Sequence, residues 1–254
     1  MNLRYTIPAG YNYAPYLLDL IEGNHTLIAG TTGAGKSVLE NSIINAIMCE
    51  KFPGQTDSGN GCKLILIDPK RCELALYKDL PHTLYYADTM PEIESTFERI
   101  RAIIENRLET MQKRGQRKTS EPSIYVFIDE LVDIVTSARS KQIMRIFADC
   151  ISISRATGVF FVICTQSPAR GVIPAVIKLN CSCRVALKCN DAIESRQIID
   201  SPEAVNLPRH GLAIVKQNLD EYMIKVPLTP DSQLESLAAN WSKQHRMTRK
   251  LFHL

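Results

Sequence analysis

A chain of 254 residues with 45% hydrophobic content can bury a substantial core, and its length fits one α/β domain better than two. Thirty Lys plus Arg against 27 Asp plus Glu leave a net charge of only +3, so composition alone demands no polyanionic partner. The most apolar run, Val159 to Cys164, is six residues long where a membrane span needs about twenty; with no apolar signal core in Met1 to Tyr5, the expectation is a soluble, cytoplasmic protein without a membrane span.

Residues 1–24 carry Tyr5, Tyr11, Tyr13 and Tyr16 with Pro8 and Pro15 and read as an irregular lead-in segment. A tyrosine there either stacks on an adenine or packs against the sheet edge, and packing is the commoner use of an aromatic ring. His25-Thr26-Leu27-Ile28-Ala29 reads as the first strand. Directly after it, Gly30-Thr31-Thr32-Gly33-Ala34-Gly35-Lys36-Ser37 satisfies G-x-x-x-x-G-K-[ST], and Val38 to Met48 continues with helical spacing. That order of strand, loop and helix makes a phosphate cradle. Glycines let the backbone N–H groups converge, and the helix adds the positive end of its dipole. Nucleotide binding is the expectation, with Lys36 on the β- and γ-phosphates and the Ser37 hydroxyl on Mg²⁺.

Phe52 to Gly61 reads as a surface loop. Lys63 to Ile67 is a near-continuous apolar run closing on Asp68, as in a strand buried on both faces of a parallel sheet. Asp68-Pro69-Lys70-Arg71 then falls at its carboxyl end, where open α/β sheets place their ligands. A short strand is expected over Thr83 to Ala87. Thr89-x-x-Glu92, with Pro91 in the first turn, forms a capping box that opens a long helix through Ile93, Phe97, Ile100, Ile104, Leu108 and Met111, stopped by Gly115. At its exit Lys113, Arg114, Arg117 and Lys118 are explained by a solvated helix end that favours cations, with phosphate contact as the alternative.

Ile124-Tyr125-Val126-Phe127-Ile128-Asp129-Glu130 is an apolar strand ending in adjacent acids, 93 residues after Lys36, and fits a Walker B. Asp129 orders the magnesium shell and Glu130 polarises an attacking water, two jobs for two neighbouring carboxylates. Helical spacing returns through Ile143, Ile146, Phe147, Cys150 and Ile153 and ends by Gly158. The buried strand Val159 to Cys164 finishes in Thr165-Gln166-Ser167-Pro168, where Gln166 either senses the γ-phosphate or caps a loop. After a short helix over Val172 to Leu179, Cys181, Cys183, Val185, Leu187 and Cys189 occupy every second position of one strand and are expected to face one side. Among eight scattered cysteines without a C-x-x-C pair, that spacing reads as core packing rather than as a metal site. Asp191-x-x-Glu194 caps another helix, and Gly211 to Val215 and Tyr222 to Val226 read as a closing pair of strands. Lys243, Arg246, Arg249 and Lys250 mark residues 229–254 as a helical or disordered basic tail, leaving residues 25–228 as the domain that carries these motifs.

Taken in order, Ile28 to Ser37, Leu64 to Arg71, Ile128 to Leu131, Arg155-Ala156-Thr157-Gly158, Thr165 to Pro168 and Ser195-Arg196-x-Ile198-x-Asp200 closely resemble the motor domain of the FtsK/SpoIIIE family of DNA translocases, over about residues 7–226. The resemblance implies an α/β, RecA-like P-loop NTPase fold with a mostly parallel central sheet flanked by helices. It also implies a homo-oligomer, usually a hexamer, closed around double-stranded DNA and driven by ATP hydrolysis between subunits. Position by position, it implies that Gly30, Thr31, Thr32, Gly33, Ala34, Gly35, Lys36 and Ser37 bind ATP, Ser37 and Asp129 hold Mg²⁺, Glu130 activates water and Gln166 reports the γ-phosphate. A neighbouring subunit's arginine neutralises transition-state charge. Arg155 stands at the matching place, with Arg184 and Arg196 as further candidates. DNA contacts are expected from Arg170 to Lys178 and from Lys113 to Lys118. The membrane spans and winged-helix module of cell-division members do not fit within 254 residues. The expected setting is therefore plasmid, mobile-element or viral DNA transfer, with a relaxase, replication or DNA-loading protein as partner. The alternatives are an ATP-gated adaptor without processive movement and a protein-secretion ATPase.

Overall fold

A computed structural model of the chain describes residues 14–53, 61–166 and 173–251. In chain order it contains α1 (Ala14–Asp19), β1 (Thr26–Ala29), α2 (Lys36–Glu50), β2 (Phe52–Pro53), β3 (Gly61–Ile67), β4 (Thr83–Ala87), α3 (Met90–Arg114), β5 (Ser123–Ile128), α4 (Leu131–Val135) and α5 (Ser140–Ile153). These are followed by β6 (Val159–Thr165), α6 (Ala175–Asn180), β7 (Cys183–Ala186), α7 (Ala192–Ile199), β8 (Leu212–Gln217), β9 (Asp220–Lys225) and α8 (Asp231–Leu251). The strands form one sheet in the order β2-β3-β5-β6-β1-β7-β8-β9, and β4 also runs along β3, after β2 on the same edge. All pairings are parallel except β7 with β8 and β8 with β9. This is the P-loop ATPase architecture that the sequence implies, a mostly parallel sheet flanked by helices.

Apolar residues at nearly every position of β3, β5 and β6 follow from a sheet covered on both faces. Alternate residues part cleanly. Leu64, Leu66, Tyr125, Phe127 and Val162 pack with Leu39, Ile43 and Ile47 of α2. Ile65, Ile67, Val126, Ile128, Phe161 and Ile163 pack with Phe97 and Ile100 of α3 and Ile143 and Phe147 of α5. Each such side chain, fully buried, contributes about 1.5–3 kcal/mol. The ends of α3 form as the sequence predicts. Thr89 and Glu92 complete a reciprocal capping box, and Gly115 closes the helix at φ 64°. Asp191 caps α7 by accepting from the N–H groups of Ile193 and Glu194, both at 2.8 Å.

Two expectations change, and a third is narrowed to one of its alternatives. Within the irregular lead-in, residues 14–19 are helical, and Leu17, Leu18, Leu20 and Ile21 are buried against the α2 layer. Pro15 is compatible with that because a missing N–H costs nothing in a first helical turn. Tyr16 packs against the same core, whereas Tyr5, Tyr11 and Tyr13 lie outside the described residues. The cysteine alternation also lapses, because β7 is only four residues long. Cys183 packs on the α2 side with Val185 and Leu187, but Cys181 and Cys189, beyond the strand ends, pack on the opposite side. Finally, α8 docks on the domain. Leu234 and Ala238 are buried, and the Trp241 indole N–H donates to the Met48 carbonyl at 3.0 Å while its ring meets His82 edge-on at 4.9 Å. No helix among the described residues is long and apolar enough to cross a membrane.

Candidate nucleotide-binding site

The strand order assembles the site. β1 lies between β6 and β7, and β6 separates it from β5, which borders β3. Parallel strands end on one edge, so the carboxyl ends of β1, β6, β5 and β3 bring Gly30 to Ser37, Thr165-Gln166, Asp129-Glu130 and Asp68 to Arg71 side by side. The glycine-rich loop is tied to both neighbouring strands: Gly30 N–H donates to the Thr165 carbonyl at 3.4 Å and Thr31 N–H to the Lys188 carbonyl at 2.8 Å. Only glycine fits at position 30, where a Cβ would come within 2.7 Å of Leu187 Cβ. Gly35 enters α2 at φ 99°, a conformation costly for any residue with a side chain.

Lys36 is 3% exposed, and its ammonium donates to Asp129 Oδ1 at 2.5 Å and to the Asp129 carbonyl at 3.0 Å. One helical turn later, the buried Glu40 places Oε2 3.9 Å from the same nitrogen. Burial alone would depress the lysine, but the carboxylates of Glu40 and Asp129 outweigh it and hold the ammonium above its ordinary range. One ammonium cannot satisfy two buried carboxylates. Asp129 takes the direct contact, and burial pushes Glu40, whose oxygens have no hydrogen-bond partner among the described residues, up to about 8.

Asp129 Oδ2 is buried and equally unpartnered. The half-exposed Ser37 sits beside Lys36 in the first turn of α2. A serine hydroxyl and an unpartnered carboxylate oxygen suit Mg²⁺, which is commonly held by one or two protein oxygens plus phosphate oxygens and water. No cluster of three or more His, Cys, Asp or Glu able to hold a metal occurs among the described residues, so phosphate and water would complete that shell.

Glu130 lives in a different environment. It is fully buried, and its Oε1 accepts from the Thr165 hydroxyl at 2.8 Å and from Gln166 N–H at 3.1 Å. Its Oε2 accepts from the same N–H at 3.2 Å and from Lys70 Nζ at 3.2 Å. The carboxylate is oriented by these donors. Gln166 joins the two halves of the site: its backbone binds Glu130, and its side-chain oxygen accepts from the Thr32 hydroxyl at 3.3 Å. Asp68 holds its own loop together, accepting Leu74 N–H at 3.0 Å.

The other sequence candidates lie elsewhere. Arg155 is exposed in the turn Ser154–Thr157 that precedes β6, at the amino edge of the sheet. A seven-residue strand therefore separates it from the phosphate loop of its own chain, or about 20 Å. The exposed Lys113 to Lys118 stretch comes close to Arg155. Arg117 and Lys118 line one cavity with it, and Thr119 N–H donates to the Ala156 carbonyl at 3.1 Å. Arg184 is engaged by Asp200 at 2.8 Å and by the Ile198 carbonyl at 3.1 Å, whereas Arg196 is exposed on α7. Of Arg170 to Lys178, residues 170–172 lie outside the described residues, and Lys178 pairs with Asp200 at 2.8 Å. Sequence reasoning passed over three contributors. Lys70 and Thr165 bind Glu130, and Glu40 follows Lys36 at the i,i+4 spacing that makes helical neighbours, which was the available signal.

Residues 3–121 match the model of the FtsK/SpoIIIE family. Over 213 residues the chain is 36% identical to the DNA translocase FtsK of Treponema pallidum, an alignment that covers 78% of this chain and 26% of that protein. The chain thus spans about a quarter of the length of the curated relatives it matches. Among solved structures it is similar to the pCW3 conjugation coupling protein TcpA, in a monomer form with ATPγS, at a TM-score of 0.75 and 21% identity, covering 88% of this chain and 65% of that one. It is also similar to the cytoplasmic domain of the Thermomonospora curvata type VII secretion ATPase EccC, at a TM-score of 0.68 and 19% identity, covering 86% and 28% of the two chains. At these identities the likeness is one of fold.

Proposed function

The chain belongs to the FtsK/SpoIIIE family, and from that premise we propose that it is a Mg²⁺-dependent ATPase that moves double-stranded DNA. The observation that carries the reading is the division of labour between Asp129 and Glu130. Asp129 keeps one buried oxygen without a hydrogen-bond partner among the described residues, while Glu130 is held in place by Thr165, Gln166 and Lys70. On binding, the phosphates would draw Lys36 from Asp129 and leave that carboxylate able to hold a metal. Ser37 and Asp129 would hold Mg²⁺, which when bound would neutralise charge on the phosphates. Glu130 accepts a proton from water as the water oxygen attacks the γ-phosphorus, and ADP leaves with the bridging oxygen. Gln166, bonded to Thr32 and to Glu130, reports whether the γ-phosphate is present.

Arg155 faces away from its own phosphate loop, so it serves the site of a neighbouring subunit in a ring, most simply a hexamer. The Lys113 to Lys118 stretch contacts the duplex backbone. Relatives named DNA translocases and the likeness to a conjugation coupling protein favour DNA transfer in a plasmid, mobile-element or viral setting, with a loading partner. Likeness to EccC favours a second reading, in which the same motor moves protein.

ATP turnover without DNA, with short and long duplexes and with single strands separates the two readings. Stimulation that rises with duplex length, and is absent in Lys36→Ala, is the expected result. A DNA-indifferent rate would overturn the DNA reading and leave protein as the cargo. A Glu130→Gln variant that kept full cellular function would instead point to an ATP-gated adaptor.

A further inference from the structure

Arg209 was not among the sequence candidates, yet the fold sets it over the phosphate loop. It lies between the turn Glu203–Asn206 and β8, and is exposed. A Cβ on Gly33 would stand 3.4 Å from its Nη2, 3.7 Å from its Nε and 3.9 Å from its Cζ, so the guanidinium lies along the middle of the loop. No carboxylate or carbonyl among the described residues pairs with it.

The segment that carries Arg209 is anchored. Lys188 Nζ donates to the Val205 carbonyl at 2.5 Å, Cys189 N–H to the Ala204 carbonyl at 3.2 Å, and Val226 N–H to the Gly211 carbonyl at 3.0 Å. Lys188 also accepts Thr31 N–H through its own carbonyl at 2.8 Å, so one residue fixes both the phosphate loop and the arginine segment. On the opposite side of the loop, Gln166 holds Thr32. The loop is flanked by a polar amide from the β6 side and a cation from the β8 side.

An unpaired cation beside the positive end of α2 is repelled by the helix and by the converging N–H groups, and an anion between them reverses the sign. The guanidinium fork matches a phosphate with two parallel hydrogen bonds. We propose that Arg209 binds the γ-phosphate of a nucleoside triphosphate seated in Gly30 to Ser37 of the same subunit, a cis arginine distinct from the trans role of Arg155. This rests on the nucleotide-binding reading of that loop. A single subunit would then tell ATP from ADP before it meets a neighbour.

The test is calorimetric binding of ATPγS and of ADP, each with Mg²⁺, to the full chain, to Arg209→Ala, to Arg209→Lys and to Lys36→Ala. Loss of a charge-assisted pair predicts ATPγS binding about tenfold weaker in Arg209→Ala, ADP affinity within about twofold of the parent, and Arg209→Lys in between. Affinities for both nucleotides that are unchanged, or that fall equally, would overturn the proposal. Mixing Arg209→Ala with Lys36→Ala subunits should give no more turnover than the two alone. Restored turnover would mean that the arginine works in trans and would equally overturn it. If the parent chain bound neither nucleotide, or Lys36→Ala bound as tightly as the parent, the nucleotide-site reading itself would have failed and Arg209 would fall with it.

Discussion

At the amino edge of the sheet, His25, Thr26, Ser154 and Thr157 are buried, uncharged and hydrogen-bonded. Phe161 N–H donates to His25 Nδ1 at 3.1 Å, Ser154 Oγ lies 3.4 Å from His25 Nε2, and the hydroxyls of Thr26 and Thr157 reach the Leu20 and Ser154 carbonyls at 2.6 and 2.7 Å. Burial, reinforced by the positive charge of Arg155, lowers His25 to about 3 and keeps its ring neutral. The carboxyl edge buries Lys36, Glu40, Asp68, Asp129 and Glu130 instead, and leaves oxygens of Glu40, Asp68 and Asp129 without partners. Satisfied neutral groups hold a fold together, while half-satisfied buried ionisable groups weaken it and persist where a ligand completes them. The same sheet carries a stabilising end and a strained, working end.

The largest break in that contrast should come from Glu130→Gln. Removing a general base predicts turnover lower by at least about a hundredfold, with ATPγS binding retained; unchanged turnover would remove Glu130 from the chemistry. The two edges should also respond oppositely to pH. Glu40 keeps its proton to about pH 8 in the folded chain, whereas an unfolded carboxyl releases it near 4.5. The native state therefore binds more protons across that window, and the stabilisation from protonated Glu40 is complete below it and lost as pH rises through it. Glu40→Gln, neutral throughout, should melt higher than the parent by a margin that grows with pH; a constant margin would reject the assignment.

For His25 the sign reverses. The unfolded ring takes a proton near 6.5 and the folded ring only near 3. Stability is therefore full above the first value and falls as pH drops toward the second. His25→Asn should melt a few degrees lower at neutral pH and lose less than the parent on acidification, read from melting curves across that range. Smallest is Thr165→Val, which removes one of the donors to Glu130. Turnover should fall by less than about tenfold, and a fall as large as that of Glu130→Gln would mean that the hydroxyl itself takes part.

The phosphate loop and the Asp129-Glu130 pair were legible because each is a local feature, a run of specified residues after an apolar strand. What stayed hidden depended on strand order. Nothing local says that β6 inserts between β1 and β5, so Thr165 and Gln166 could not be seen to touch both the loop and the base. Lys70 meets Glu130 across a gap of 60 residues. Arg209 is placed by a hairpin whose neighbour in the sheet is read only from topology. Cys181 and Cys189 failed for a local reason: a period of two holds only inside a strand, and β7 ends before it reaches them.

β6 carries Gln166 just past one end and Arg155 just before the other, and it is bonded along its length to β5 and β1. A strand gripped on both sides shifts as a piece, so what moves Gln166 also moves Arg155. In a closed ring it would act as a tie rod between two successive active sites. The firing order of the subunits would then be set by the stiffness of one strand, with no separate messenger segment to evolve.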